Sequence, residues 1–68
     1  MTQCERIIQY MDDFGSITAA EAVSDLGIFR LSARIHELSE AGYKISKDIV
    51  RTKNRYGDPV HFARYSLG

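Results

Sequence analysis

The chain of 68 residues has the mass of one small domain, 7.7 kDa, which leaves no room for a substrate cleft between two lobes. Its composition, 44% hydrophobic and 26% charged, is typical of a soluble globular protein and excludes a disordered segment. No apolar run approaches the ~20 residues that cross a bilayer, the first residues lack a signal-peptide pattern, and one cysteine cannot form an intrachain disulfide, so we expect a cytoplasmic domain without a cofactor.

The two halves of the chain carry opposite charge, although nine basic and nine acidic residues cancel in total. Residues 1–27 hold one cation and five carboxylates, a net charge of −4, and residues 28–68 hold eight cations and four carboxylates, a net charge of +4. Because charges are screened beyond about 8 Å in physiological salt, the basic half can still attract a polyanion. On charge alone, nucleic-acid binding and simple solubilisation of a strand pair are equally good interpretations.

The first predicted element is an amphipathic helix over about residues 3–14. Thr2 and Glu5 have the spacing of a capping box, and Gly15 supplies the residue that commonly ends a helix. Apolar residues recur at steps of three and four along this helix, namely Cys4, Ile7, Ile8, Met11 and Phe14. This stripe predicts that the Cys4 thiol is buried and inert.

Two further helices are predicted on either side of a glycine turn. A second capping box at Thr18 and Glu21 begins a short helix over about residues 19–26, whose apolar stripe consists of Ala19, Ala22, Val23 and Leu26. A third helix is predicted over about residues 30–41, with its core face formed by Leu31, Ile35 and Leu38. A short helix, a glycine turn and a second helix form the helix-turn-helix pattern.

A β-hairpin is predicted after the third helix, because the spacing of apolar residues changes to two. Its strands cover about residues 43–52 and 60–67, and the turn formers between them place three cations near an exposed tip. The alternation shifts once within each strand, which predicts a bulge or an increased twist.

Three helices followed by a hairpin resemble the winged helix-turn-helix domain. The most specific segments are Leu26-Gly27-Ile28, Arg30-Leu31-Ser32-Ala33-Arg34-Ile35 and the turn at Gly57, within a resemblance to small bacterial and phage proteins over residues 2–67. The resemblance implies one domain, residues 1–68, of α+β class, in which a three-helix core precedes a C-terminal wing. It also implies binding to double-stranded DNA, as a transcriptional regulator or as an accessory factor in phage excision or replication.

The third helix is the expected reader of DNA bases, since the major groove admits one α-helix whose N-terminal part meets the base edges. The residues predicted to contact bases are Arg30, Ser32, Ala33, Arg34 and His36. Arg30 is the first candidate, because a guanidinium can bind guanine O6 and N7 together. For Arg34 the alternative is a solvated salt bridge to Glu37. Glu37 and Glu40 repel phosphate, so only the first half of the helix is expected in the groove.

The hairpin is expected to bind the sugar–phosphate backbone or an adjacent minor groove. The residues predicted for this role are Arg51, Lys53, Asn54, Arg55, Tyr56 and Arg64. Such contacts hold the register of a protein on DNA and carry no sequence information. The alternative is protection of exposed strands against aggregation, which accounts well for Lys44 and Lys47 but less well for the tip.

Catalysis, a metal site and a small-molecule substrate are not expected. His36 and His61 are remote and have no flanking cysteines, and neither a nucleophile turn nor a glycine-rich phosphate loop occurs. Tyr10, Tyr43 and Tyr65 are expected to pack within the core and the hairpin, which leaves Tyr56 as the exposed tyrosine.

Two alternatives to a sequence-specific regulator remain open. One is a protein-interaction adaptor with Phe29 as an apolar anchor, and the other is a DNA-architectural factor with little base preference. A single module buries only ~600–1,000 Å² on DNA, so tight binding would need a homodimer or a larger phage or host assembly. The sequence contains no obvious dimer seam.

Overall fold

The computed structural model describes residues 1–68 and consists of three helical segments and a three-stranded antiparallel sheet, whose first strand lies between the first and second helices. The predicted α+β fold is confirmed. The elements are α1 (Gln3–Phe14), β1 (Ile17–Thr18), α2 (Ala19–Glu21) with a π-helical continuation (Ala22–Leu26), α3 (Leu31–Glu40), β2 (Ile45–Lys53) and β3 (Pro59–Leu67). No helix is long and apolar enough to span a membrane.

Both predicted capping boxes are present. The Thr2 hydroxyl accepts a hydrogen bond from the Glu5 N–H, and the Glu5 carboxylate accepts one from the Thr2 N–H, each at 3.1 Å. Thr18 and Glu21 form the same reciprocal pair at 3.2 and 2.9 Å. Each box satisfies N–H groups that have no partner within the helix, so the starts of α1 and α2 are determined locally.

The second helix differs from the prediction of one α-helix over residues 19–26. After a single α-helical turn the chain continues as a π-helix. This segment ends with a hydrogen bond of 2.9 Å from the Ile28 N–H to the Ala22 carbonyl. Ala22 is buried, whereas Ala19 and Val23 are exposed, so the predicted apolar stripe is wrong at these two positions. The wider π turn changes which side chains face the core, and apolar spacing in a short segment cannot reveal that change.

The π-helical segment is tied to α1 by a hydrogen bond. The Tyr10 hydroxyl donates to the Asp25 carboxylate at 2.5 Å. The pKa of Tyr10 is raised to about 12. The hydrogen bond to Asp25 is the largest cause, and partial burial and the negative charges of nearby carboxylates add to it. Tyr10 therefore contributes a buried ring and a specific polar contact between two helices.

The core consists of nine buried residues, all hydrophobic, which are Ile7, Tyr10, Met11, Ile17, Ala22, Ile28, Leu31, Ile35 and Leu38. The predicted core face of α3 is confirmed in full. The stripe of α1 is only partly buried, because Phe14 is 72% exposed and Cys4 and Ile8 lie at the edge of the core. Phe14 lies in the last turn of α1, where its ring contacts Tyr10 at a centroid distance of 4.7 Å and little else covers it.

The sheet has the strand order β1-β3-β2, and its short first strand was not predicted. Ile17 pairs with Tyr65, and Thr18 pairs with Arg64. Two residues carry too little periodicity to indicate a strand, and only the approach of β3 provides their partner. This pairing anchors the hairpin to the helical core.

Of the two predicted irregularities the bulge is wrong, because β2 and β3 pair over nine successive positions without an insertion, and the increased twist stays a prediction. Directly paired residues share a face, so Ile49 and Ala63 lie on one face while Val50 and Phe62 lie on the other. Both faces of the outer hairpin are open to solvent, and apolar residues occur on each. The shift in the alternation of apolar residues therefore arises because both faces of the ribbon carry apolar residues, and the register of strand pairing does not change.

The hairpin projects from the core. Every residue from Arg51 to Phe62 is exposed, and the molecule measures 38 × 22 × 21 Å along its principal axes. A two-stranded ribbon is only marginally stable in water, so its rigidity depends on the pairing with β1 and on the packing of Tyr65 and Ile45 against the core.

Candidate nucleic-acid interface

The turn before α3 displays two exposed side chains between two buried ones. Ile28 is 2% exposed and Leu31 is 3% exposed, and both belong to the core. Between them Phe29 is 80% exposed, and Arg30 is exposed as well. Gly27 permits this turn because its φ of 69° is accessible to glycine at little cost. The backbone that carries Phe29 and Arg30 is therefore held on both sides by core packing.

Arg30 precedes the first turn of α3 and makes no salt bridge or side-chain capping bond. In contrast with α1 and α2, this helix thus begins without a side-chain cap on its N–H groups. The N-terminal end of a helix also carries a partial positive charge. A free guanidinium and the positive end of a helix dipole are therefore exposed at one place.

The other predicted base-contacting residues of α3 divide into two groups. Ser32 and His36 are exposed, whereas Ala33 and Arg34 are half-buried. The Arg34 guanidinium lies 3.0 Å from the Glu37 carboxylate, which is the alternative that the sequence left open. The exposed surface of α3 thus presents Arg30, Ser32 and His36, while Arg34 is engaged within the molecule.

Glu37 also receives a hydrogen bond from α1, since the Cys4 thiol donates to its carboxylate at 3.5 Å. Partial burial raises the pKa of Cys4, and the hydrogen bond and negative charge of Glu37 raise it further. The prediction of a buried Cys4 is wrong, because the side chain lies half-exposed at the edge of the core. Its raised pKa still favours the thiol, which is the less reactive form.

The acidic residues of α3 lie in its C-terminal half. Glu40 approaches His36 at 3.5 Å, and Glu37 is bound to Arg34 as described. No carboxylate occurs between Gly27 and Ile35. The N-terminal half of α3 therefore provides the surface of this helix that is compatible with a polyanion.

The tip of the hairpin is closed by hydrogen bonds from Asn54. Its side-chain oxygen accepts from the N–H groups of Tyr56 and Asp58 at 2.9 and 3.0 Å. Its backbone N–H donates to the Asp58 carbonyl, and its carbonyl accepts from Gly57, both at 3.0 Å. Gly57 has a φ of 81°, which favours glycine. Asn54, predicted from the sequence as a DNA contact, thus has a structural role in shaping the tip.

Substitution of Asn54 by alanine is expected to loosen the tip, because two N–H groups lose their acceptor. The amide protons of Tyr56 and Asp58 should exchange with solvent several-fold faster, while the free energy of unfolding changes by about 1 kcal/mol or less at this exposed site. Hydrogen exchange followed by NMR measures both effects. Asn54→Asp, which keeps the acceptor, should preserve the slow exchange, and equal exchange rates in Asn54→Ala and the unmodified protein would contradict the assigned role.

The cations of the hairpin do not share one surface. Lys53, Arg55 and Tyr56 are exposed around the tip, and Tyr56 reaches 86% exposure. Arg51 pairs with His61 on the face of the ribbon that contains Tyr65, whereas Arg64 pairs with Asp48 on the opposite face. The register therefore separates two arginines that the sequence grouped together.

Reasoning from the sequence named Asn54 and Phe29 but did not assign the places that the structure gives them. The turn-closing role of Asn54 was detectable, because Asn followed by Gly and Asp at short spacing is typical of such turns. Phe29 was given a role only in the alternative of a protein adaptor, although the structure exposes it beside Arg30 at the start of α3. No group of three or more His, Cys, Asp or Glu side chains is arranged to hold a metal ion.

A helix-turn-helix followed by an antiparallel hairpin that projects from the core defines a winged helix. The family described as the winged helix-turn-helix domain matches residues 2–68, and the chain belongs to this family. Membership indicates DNA binding in general. No curated protein and no solved structure matches the chain significantly.

Proposed function

We propose that this protein is a sequence-specific transcriptional regulator of bacterial or phage origin that binds double-stranded DNA. The start of α3 enters the major groove, and the hairpin acts as a wing on the sugar–phosphate backbone. The observation that carries the proposal is the exposed, unpaired Arg30 at the start of a helix whose first turn contains no carboxylate. A guanidinium in this position is available for the O6 and N7 atoms of guanine.

The proposed base contacts come from the exposed residues of α3. Arg30 binds a guanine, and Ser32 and His36 contact neighbouring base edges through a hydroxyl and an imidazole. Ala33, which is half-buried, contributes a methyl contact with its remaining exposed surface. Arg34 keeps its ion pair with Glu37 and offsets the charge of that carboxylate, since an unpaired Glu37 near phosphate would be unfavourable.

The proposed backbone contacts come from the wing. Lys53, Arg55 and Tyr56 bind phosphates at the tip that Asn54 holds in shape. Arg51 extends this surface along one face of the ribbon. Arg64, on the opposite face, contributes long-range attraction for DNA and no direct contact with the same backbone.

The test is selection of bound sequences from a pool of random duplexes, followed by affinity measurements on the selected and a scrambled duplex. We expect enrichment of a short motif that contains a guanine. If about six phosphates are neutralised, log K should fall against log salt with a slope of about −5 between 50 and 200 mM salt. Absence of salt-sensitive binding would contradict the proposal and favour a protein adaptor. Salt-sensitive binding without any enriched motif would favour an architectural factor.

A dimer on DNA is part of the same proposal. One module covers only ~600–1,000 Å², so high affinity would come from two copies on adjacent half-sites or from a larger assembly. The selected motif would then contain a repeat, and sedimentation of the complex would show two chains on each duplex. A single unrepeated motif bound by one chain would contradict this element.

A further inference from the structure

Phe29 is an exposed aromatic residue that lies outside the hydrophobic core. It is 80% exposed, and unlike Phe14, whose ring lies 4.7 Å from that of Tyr10, it has no aromatic neighbour. Large apolar side chains stabilise a protein mainly when they are removed from water. The ring of Phe29 therefore contributes little to folding and is available to a ligand.

The position of Phe29 is nevertheless well determined. The preceding residue, Ile28, is buried, and its N–H is bonded to the Ala22 carbonyl at 2.9 Å. Leu31, two residues later, is buried in the core face of α3. Only Phe29 and Arg30 project between these two anchors. A ring held in this way loses less conformational freedom on binding than one on a mobile loop.

We propose that Phe29 is a specificity-determining residue that contacts the C5-methyl group of a thymine in the major groove, beside the guanine bound by Arg30. This inference rests on the proposed function and names a further base that the protein reads. The thymine methyl is the apolar group on the major-groove edge of base pairs, and phenylalanine is among the side chains that contact it. Base pairs are stacked about 3.4 Å apart, so the side chains of two adjacent residues can reach neighbouring base pairs.

Charge favours DNA over a protein pocket as the partner of Phe29. The neighbouring Arg30 is a free cation, α3 begins without a side-chain cap, and no carboxylate occurs from Gly27 to Ile35. An apolar protein pocket would have to desolvate the Arg30 guanidinium without the compensation that a guanine provides. The major groove of DNA offers a guanine to the Arg30 cation and a thymine methyl group to the Phe29 ring.

The experiment removes single methyl groups from the DNA. In the selected duplex, each thymine is replaced in turn by deoxyuridine, which differs only in lacking the C5-methyl group, and affinities are measured for the unmodified protein and for Phe29→Ala. At one or two positions the replacement should weaken binding of the unmodified protein about fourfold, the factor expected for one buried methyl group. Phe29→Ala should bind the thymine duplex more weakly by a similar or larger factor and should not respond to deoxyuridine at those positions.

The matched control is Phe14→Ala, which removes the other highly exposed phenylalanine, 72% exposed at the end of α1. It should retain the full response to deoxyuridine, and Phe29→Leu, which keeps an apolar contact, should retain part of it. The inference is overturned if no deoxyuridine position weakens the unmodified protein, or if Phe29→Ala responds as strongly as the unmodified protein does. Motif-specific binding together with either result would leave the proposed function intact. A lack of any binding to duplex DNA would overturn both.

Discussion

Replacement of Ile17 by alanine should lower the free energy of unfolding by about 2–5 kcal/mol, the range observed when large buried aliphatic residues are truncated. Ile17 is fully buried and belongs to β1, the strand that joins the hairpin to the helices through Tyr65. For a domain of this size the loss corresponds to a decrease in Tm of roughly 10–30 °C. Thermal or urea denaturation followed by circular dichroism measures it.

The matched control for this prediction is Ile49→Ala. Ile49 has the same side chain but is 50% exposed on the ribbon, so its truncation should cost about 1 kcal/mol or less. Since small domains have little stability in reserve, Ile17→Ala is expected to be partly unfolded at 37 °C. Equal losses for the two variants would show that β1 does not connect the sheet to the core as described.

Replacement of Arg30 by alanine should remove a bidentate contact worth about 1–3 kcal/mol, equivalent to a loss in affinity of roughly 5- to 150-fold on the selected duplex. Because the side chain is exposed and unpaired, the variant should keep the stability of the unmodified protein. The preference for guanine at one position should also relax. Titrations on the selected duplex and on variants at that position measure both effects.

Arg55→Ala provides the comparison for Arg30→Ala. Arg55 lies at the tip of the wing, where the proposed contact is to phosphate, so its loss should weaken binding to selected and scrambled duplexes by the same factor. It should also reduce the salt slope by about one. If Arg30→Ala likewise weakened both duplexes equally, the guanine contact assigned to Arg30 would be refuted.

Opposite charge in the two halves of the chain has a structural counterpart. In the C-terminal half, Arg30 is exposed at the start of α3 and Lys53 and Arg55 are exposed at the tip of the hairpin, whereas the carboxylates of α3 lie in its second half. An overall charge of zero is therefore compatible with a local surface that attracts DNA. Added salt should weaken the attraction for DNA most strongly at the basic tip and at the start of α3.

Several features could be predicted from the sequence because their causes are local. The capping boxes at Thr2 and Thr18 involve residues only three positions apart, and the core face of α3 follows from helical spacing. The order of three helices and a hairpin also follows from spacing and turn residues. These signals were sufficient for the fold class and for the resemblance to winged helices.

Other features depend on contacts between segments distant in the chain. Ile17 becomes a strand residue only because Tyr65 lies beside it, and the π-helical turn is accompanied by a bond between Asp25 and Tyr10. Arg51 and Arg64 lie on opposite faces of the ribbon because of the register between β2 and β3. The spacing of apolar residues in the sequence does not reveal that register. The engagement of Arg34 by Glu37 is local, but the sequence could not decide between this ion pair and a free side chain.

The amino-acid sequence by itself determined where helices begin, which face of α3 is apolar, and that a turn closes the hairpin, since each depends on neighbours within a few residues. Only the tertiary structure decided which exposed groups remain free. Burial of Ile28 and Leu31 forces Phe29 and Arg30 outward together, and strand pairing assigns each cation of the wing to a face. The availability of a side chain depends on everything packed around it, and that information is distributed over the whole chain.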